Sequence, residues 1–248
     1  MPQATFRVHG SLNDFLPAAK RDRPIVLEFE ASPAVKDLIQ ALGLPHPEVD
    51  LVLVNDRSVG FGHRLLPSDL VDVFGLDRPA DLAATGGLIP TPPDPPRFVL
   101  DGHLGRLARY LRMLGFDSRY EARAADRELA EQSAAEDRIL LTRDRGLLKR
   151  SIVRHGYLVR DDDPRRQLAE IVSRYRLART AAPFTRCVKC NGAIAPVDRS
   201  EVVERLAGEP RTLRYFETFG RCGGCGSIYW PGSHFDRMSR LVEDVLRG

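Results

Sequence analysis

What this sequence lacks excludes several classes of protein at once. No apolar run approaches the ~20 residues that a membrane-crossing helix needs, so nothing in it reads as a transmembrane span. The opening stretch MPQATFRVHGSLNDFLP has neither a long apolar segment nor an early basic cluster and does not read as an export signal. The expectation is a cytoplasmic protein with no membrane partner. Cysteine is scarce, and its four copies form two C-x-x-C pairs, Cys187/Cys190 and Cys222/Cys225. Without an export signal, that spacing favours a metal over a disulfide framework. Lysine is nearly absent from the middle of the chain: residues 97–180 hold 19 basic side chains, of which 18 are arginine. Forked guanidinium groups favour phosphate contacts over diffuse point charge, with a solvated basic surface as the alternative.

The formal charge of +3 is unevenly distributed. Residues 1–96 carry 8 basic and 13 acidic side chains, residues 97–180 carry 19 and 13, and residues 181–248 carry 10 and 8. The basic excess therefore lies in the central segment, and a polyanionic partner is expected to meet the chain there.

Strand-like runs at 4–9 and 25–30, a helix opened by Ser32-Pro33 and closed by Gly43, a strand at 49–54 and a last run at 70–74 outline a small α+β domain of the β-grasp type. This stretch resembles the ubiquitin-like domain that precedes some PIN-like nucleases and, more distantly, sulfur-carrier proteins. The Gly86-Gly87 pair is followed by more than a hundred residues, so it reads as linker and not as a thiolated C-terminus. LIPTPPDPPR, 88–97, is a proline-rich connector expected to be extended and stiff.

Beyond the connector the pattern alternates: strand 98–100, helix 104–114, strand 116–120, helix 126–136, strand 139–142, short helix 145–150, strand 157–160, helix 165–176. Leu104, Leu107, Ala108, Leu111 and Leu114 form one apolar helix face, with Arg106, Arg109 and Arg112 off it. Alternating β and α elements imply a largely parallel sheet, whose ligands bind at the carboxyl ends of the strands. Asp101, Asp144 and the trio Asp161, Asp162 and Asp163 all follow strands, and Asp126 opens a helix. Ionised carboxylates crowded together need a cation, and hard oxygen donors suit Mg²⁺ or Mn²⁺. Asp126, Asp144 and the trio also read as helix caps.

Taken in order, DGHLGRLARYLRMLGFD, ADRELAE, RILLTRDRGLLKR, the two C-x-x-C pairs and YWPGSHFDRM resemble the Mut7-C RNase family, a PIN-like group, here preceded by its ubiquitin-like domain. The resemblance implies a metal-dependent ribonuclease with catalytic acids at Asp101, Asp126 and Asp144, and one of Asp161, Asp162 and Asp163 as a fourth, of which Asp162 is the choice made here. Glu128 is the alternative to Asp126. Asp101 and Asp144 are the expected Mg²⁺ or Mn²⁺ ligands, with Arg106, Arg109, Arg112, Arg143 and Arg145 expected on the RNA backbone. The ubiquitin-like domain is a candidate for a protein partner. Two rivals remain: a non-catalytic RNA-binding or adaptor protein of the same fold, and a phosphotransfer enzyme with Asp101 as nucleophile. The second rival wants an Asp two residues on, where this chain has His103.

The spacing CVKC-x31-CGGC presents four thiolates for a tetrahedral Zn²⁺ held by Cys187, Cys190, Cys222 and Cys225, a structural zinc ribbon. A helix is expected at 200–206 and a strand at 211–216 between the knuckles. Tyr229, Trp230, His234 and Phe235 beyond them either stack on bases or pack the ribbon. The expected organisation is a β-grasp domain over 1–82, a linker over 83–96, a PIN-like α/β domain over 97–180, and the ribbon with a C-terminal helix over 181–248.

Overall fold

The computed structural model describes residues 1–208 and 210–247, without the side chains of Pro210, Arg211, Ser233 and His234. In chain order the strands are β1 Gln3–Val8, β2 Ile25–Glu28, β3 Leu51–Val54, β4 Arg57–Ser58, β5 Leu70–Phe74, β6 Phe98–Leu100, β7 Ser118–Tyr120, β8 Ile139–Thr142, β9 Gly156–Leu158, β10 Ile194–Val197, β11 Phe219–Cys222 and β12 Ile228–Tyr229. The α-helices are α1 Val35–Ala41, α2 Gly105–Met113, α3 Asp126–Ala135, α4 Arg145–Leu148, α5 Pro164–Tyr175, α6 Arg199–Val202, α7 Pro210–Tyr215 and α8 Ser233–Arg247. The chain forms two compact units, Met1–Pro92 with Asp126–Leu158, and Pro93–Ala125 with Val159–Gly248.

In the first unit a five-stranded sheet has the order β2-β1-β5-β3-β4. β1 pairs parallel with β5, placing Phe6 opposite Val71 and Val8 opposite Val73, while the other neighbours are antiparallel. This is the β-grasp order. The period of two in QATFRV turns Ala4, Phe6 and Val8 inward, and α1 buries Val35 and Ile39. The same unit contains α3, β8, α4 and β9. β8 and β9 are parallel, with Leu140 opposite Gly156 and Thr142 opposite Leu158. Every residue of ILLT is buried, as expected of a strand in a parallel sheet.

Specific polar contacts stitch these two parts of the unit together. The His46 Nε2–H donates to the Val153 carbonyl at 2.9 Å, and the Leu158 N–H donates to Glu48 Oε1 at 2.7 Å. Arg145 donates to the carbonyls of Phe15 and Asp14 at 2.9 and 3.0 Å, and Lys149 Nζ donates to the Gln40 carbonyl at 3.3 Å. Residues 126–158 therefore pack with the β-grasp domain despite the connector between them in sequence. The start of that connector is itself tied back, with the Leu88 N–H donating to the Asp50 carbonyl at 2.6 Å.

In the second unit β6 and β7 pair in parallel, Leu100 opposite Tyr120. The apolar face of α2 is buried as the leucine spacing requires, and the helix packs on β7 and α5. Each fully buried leucine is worth about 1.5–3 kcal/mol, so this stripe fixes α2 on its strands. β10, β11 and β12 form an antiparallel sheet with Ile194 opposite Cys222. Val202, Leu206 and Phe219 make the ribbon's core, with Val197, Leu213, Phe216, Ile228 and Trp230 packed against it. Of the strand expected at 211–216, residues 211–215 are instead in helix α7 and Phe216 follows it. Pro210 suits a first helical position, and Leu213 and Phe216, three residues apart, then face the same core. The expected helix at 200–206 is the shorter α6.

Burial pushes the pKa of His46 down to about 4, and the charge of Lys36 pushes in the same direction. An unfolded histidine titrates near 6.5, so between these values the unfolded chain holds a proton that the folded chain refuses. Stability present at neutral pH is thus lost as pH falls from about 6.5 to about 4, by about 3 kcal/mol at the full shift. Denaturant unfolding across this range is expected to show that loss, and His46→Gln to remove most of it. His155, whose pKa burial also lowers, leaves a residual slope. An undiminished slope in His46→Gln excludes His46 as its source.

Candidate functional site

Asp101 follows β6 directly and is buried, at 6 % exposed. Its Oδ1 accepts the His103 N–H at 2.9 Å and caps the 3-10 turn Gly102–Leu104. That turn is closely packed. The Tyr120 hydroxyl donates to the Gly102 carbonyl at 3.0 Å, a Cβ on Gly105 would lie 2.7 Å from the same hydroxyl and displace it, and a Cβ on Gly102 would lie 2.7 Å from the Ala122 carbonyl oxygen. In the other unit Asp144 caps α4, its Oδ1 accepting the Gly146 N–H at 2.6 Å while its own N–H donates to Thr142 Oγ1 at 2.9 Å. Asp126 opens α3 and is exposed, as is Glu128 in the same first turn.

The trio after β9 divides its work. Asp163 caps α5, with Oδ1 accepting from Arg165 and Arg166 N–H at 2.9 and 3.1 Å. Asp161 accepts the Asp163 N–H at 2.8 Å and Arg166 Nε at 3.0 Å, and these contacts hold its carboxyl below the usual carboxylate range. Asp162 is exposed between them. Capping is therefore real at Asp144 and Asp163, and Asp101 is a cap as well. Each of these caps uses Oδ1 and fixes the orientation of the carboxylate, which a metal ligand also needs.

Two of the arginines expected on RNA are committed elsewhere. Arg112 is 5 % exposed, and its Nε donates to the Ser118 carbonyl at 2.9 Å. Its Nη1 donates to the carbonyls of Val188 and Lys189 at 3.3 and 3.1 Å, inside the first knuckle. Burial pushes its pKa down, and negative charge on the Cys187 and Cys190 sulfurs opposes that shift. It is a clamp between α2 and the knuckle and cannot hold a phosphate. Arg145 is exposed, but its two Nη groups bond to the Asp14 and Phe15 carbonyls, and its guanidinium lies 5.3 Å from the centre of the Phe15 ring. Arg106, Arg109 and Arg143 are exposed.

The four cysteine Sγ atoms lie within 4.8 Å of one another. Cys187 and Cys225 are 3.6 Å apart, and Cys190 and Cys222 are 3.4 Å apart. A tetrahedral ion with metal–sulfur bonds of ~2.3 Å asks for sulfurs about 3.8 Å apart, which is within the spread of this cluster. Backbone N–H groups of Cys190, Gly224 and Cys225 point at the Cys187 and Cys222 sulfurs at 3.3–3.5 Å and favour thiolate charge. The Tyr229 hydroxyl lies 3.0 Å from Cys187 Sγ. Burial and that sulfur push the phenol pKa up, so the hydroxyl keeps its proton and donates it to the sulfur.

The first knuckle is also anchored by Asn191, which sequence reading passed over. Its Oδ1 accepts the Ser118 N–H at 2.9 Å and its Nδ2 donates to Asp117 Oδ1 at 2.7 Å. The available signal was the Asn-Gly pair after Cys190, since Asn191 adopts a positive φ of 68°. Of the aromatic residues beyond the second knuckle, Trp230 packs on the ribbon core and Phe235 lies 4.5 Å from Phe184. The side chain of His234 lies outside the described residues.

Among the described residues no helix is long and apolar enough to cross a membrane. No curated protein and no solved structure matches the chain in comparison. Two family models do match: the Mut7-C ubiquitin domain over residues 1–81 and the Mut7-C RNAse domain over residues 96–242. The RNAse-domain match spans more than half of the sequence and takes in β6 with Asp101, β8 with Asp144 and all four cysteines, and the chain belongs to the Mut7-C RNAse domain family.

Proposed function

We propose that the chain is a metal-dependent ribonuclease in which Asp101, Asp126, Asp144 and Asp162 form the acidic site and RNA is the substrate. The observation that carries the ribonuclease reading is the family match over 96–242. The metal reading rests on the donors themselves. Asp101 and Asp144 follow parallel strands, and both are held by a cap through one oxygen. Such hard oxygen donors suit Mg²⁺ or Mn²⁺. When bound, such ions lower the pKa of a water and stabilise charge on the phosphate and leaving oxygen in an in-line displacement. Asp101 and Asp144 would be the principal ligands, with Asp126, or Glu128 beside it, and Asp162 completing the set. Arg106, Arg109 and Arg143 would grip the backbone, orienting the scissile bond and adding the salt dependence of phosphate contacts. The cysteine cluster would hold one structural Zn²⁺, and a cytoplasmic location accords with reduced thiols ligating metal.

Labelled single-stranded and structured RNAs incubated with the full chain are expected to be cleaved in Mn²⁺ or Mg²⁺ and spared in EDTA. Asp101→Asn is expected to slow cleavage by about a hundredfold or more, since several kcal/mol of charge stabilisation is at stake. Equal, metal-independent cleavage by both proteins would overturn the mechanism.

Elemental analysis of the purified chain is expected to find about one zinc per molecule, the stoichiometry of a closed tetrathiolate site. Cys222→Ser is expected to lose that zinc and to lower the melting temperature. A zinc-free wild type with the same melting temperature as this variant would contradict the structural site.

A further inference from the structure

We infer that Arg145 is a positioning residue through which the β-grasp domain sets the turn that carries Asp144. The inference rests on the reading of Asp144 as a metal ligand. α4 is four residues long, a single turn, and a turn of that length is not stable by itself. It must be held from outside. At its start the Asp144 carboxylate and N–H are bonded to Gly146 and Thr142, both within three residues, which fixes the local shape of the turn but not its place.

The place comes from residues some 130 positions earlier. Arg145 splits its two Nη groups between the carbonyls of Phe15 and Asp14 and lies over the Phe15 ring, which is itself 2 % exposed. Those carbonyls are on a firm base. They end the 3-10 helix Gly10–Phe15, whose buried Asn13 donates to the Val8 carbonyl at 3.0 Å and exchanges hydrogen bonds of 2.9 Å with Asp22 in both directions. At the far end of the turn Lys149 reaches the Gln40 carbonyl. The turn bearing Asp144 is thus bracketed on both sides by backbone oxygens of the β-grasp domain. A planar guanidinium bridges two carbonyls from two separate nitrogens while its face stacks on a ring, a geometry that the single nitrogen of an ammonium does not reproduce.

The β-grasp domain then belongs to the nuclease site as its support. A carboxylate displaced by about 1 Å costs on the order of a hundredfold in rate, so loosening the turn shows in the chemical step before it shows in substrate binding.

The test uses the full chain with Arg145→Ala, Arg145→Lys and, in parallel, Asp144→Asn. It reads kcat and KM on a labelled RNA, the Mn²⁺ concentration for half-maximal rate, and amide hydrogen exchange at residues 144–148 without metal or RNA. Arg145→Ala is expected to lower kcat by about tenfold to a hundredfold, to raise the Mn²⁺ requirement, to leave KM within about twofold and to speed exchange at Gly146, Leu147 and Leu148. Arg145→Lys keeps the charge without the bridge and is expected to resemble Arg145→Ala. A raised KM with kcat unchanged, restored by lysine, would instead make Arg145 a phosphate contact and overturn the inference. Unchanged exchange in both Arg145 variants would overturn it too. If Asp144→Asn cleaves as well as wild type, the reading of Asp144 fails, and exchange alone then decides whether Arg145 holds the turn.

Discussion

Burying a polar side chain is tolerable only when its hydrogen bonds are made, and in each compact unit this constraint sits at the joint on which the unit depends. In one unit the buried donor is Arg112, whose guanidinium binds carbonyls of β7 and of the first cysteine knuckle. In the other it is His46, neutral and 8 % exposed, donating to the Val153 carbonyl, with the buried Glu48 accepting from the Leu158 N–H. Removing one partner from such a pair costs more than the bond itself contributes, because the remaining group stays buried and unpaired. Each joint therefore favours one arrangement of the parts it connects.

The cysteine knuckles illustrate the consequence. Cys187 and Cys190 come from a segment that α2 holds by Arg112 and that β7 and the adjoining Asp117 hold by Asn191, while Cys222 arrives at the end of β11. The sulfurs are brought together by the sheet register that places Ile194 opposite Cys222 and by a small apolar core around Phe219. A metal at that point would lock a geometry that hydrogen bonds and packing already favour, as in small domains whose cores are too limited to stand unaided.

What could be read from the sequence was whatever repeats or closes over a few residues. The leucine stripe of α2, the buried run of β8, the β-grasp succession and the two C-x-x-C turns all have short-range signatures, and all are present. The misreadings share a cause. Arg112 reads as part of an exposed arginine row because its buried partners lie 76 and 77 positions away, and the acceptors of Arg145 do not show in the sequence because they lie 130 and 131 positions earlier. The segment at 211–216 reads as a strand because its local apolar spacing does not reveal the core that Leu213 and Phe216 share with Phe219. At the candidate acids, capping and function read as alternatives in the sequence, whereas a cap such as those at Asp101 and Asp144 also fixes the orientation of the carboxylate.

The proposed ribonuclease mechanism depends on strand-end carboxylates holding a divalent cation for phosphodiester cleavage. The most direct measurement is an anomalous difference map from crystals soaked in Mn²⁺, recorded at the manganese and zinc edges. Manganese is expected on the carboxylates of Asp101 and Asp144, separate from zinc at Cys187, Cys190, Cys222 and Cys225. Manganese bound to neither aspartate, in crystals whose cysteine site is filled, would contradict it.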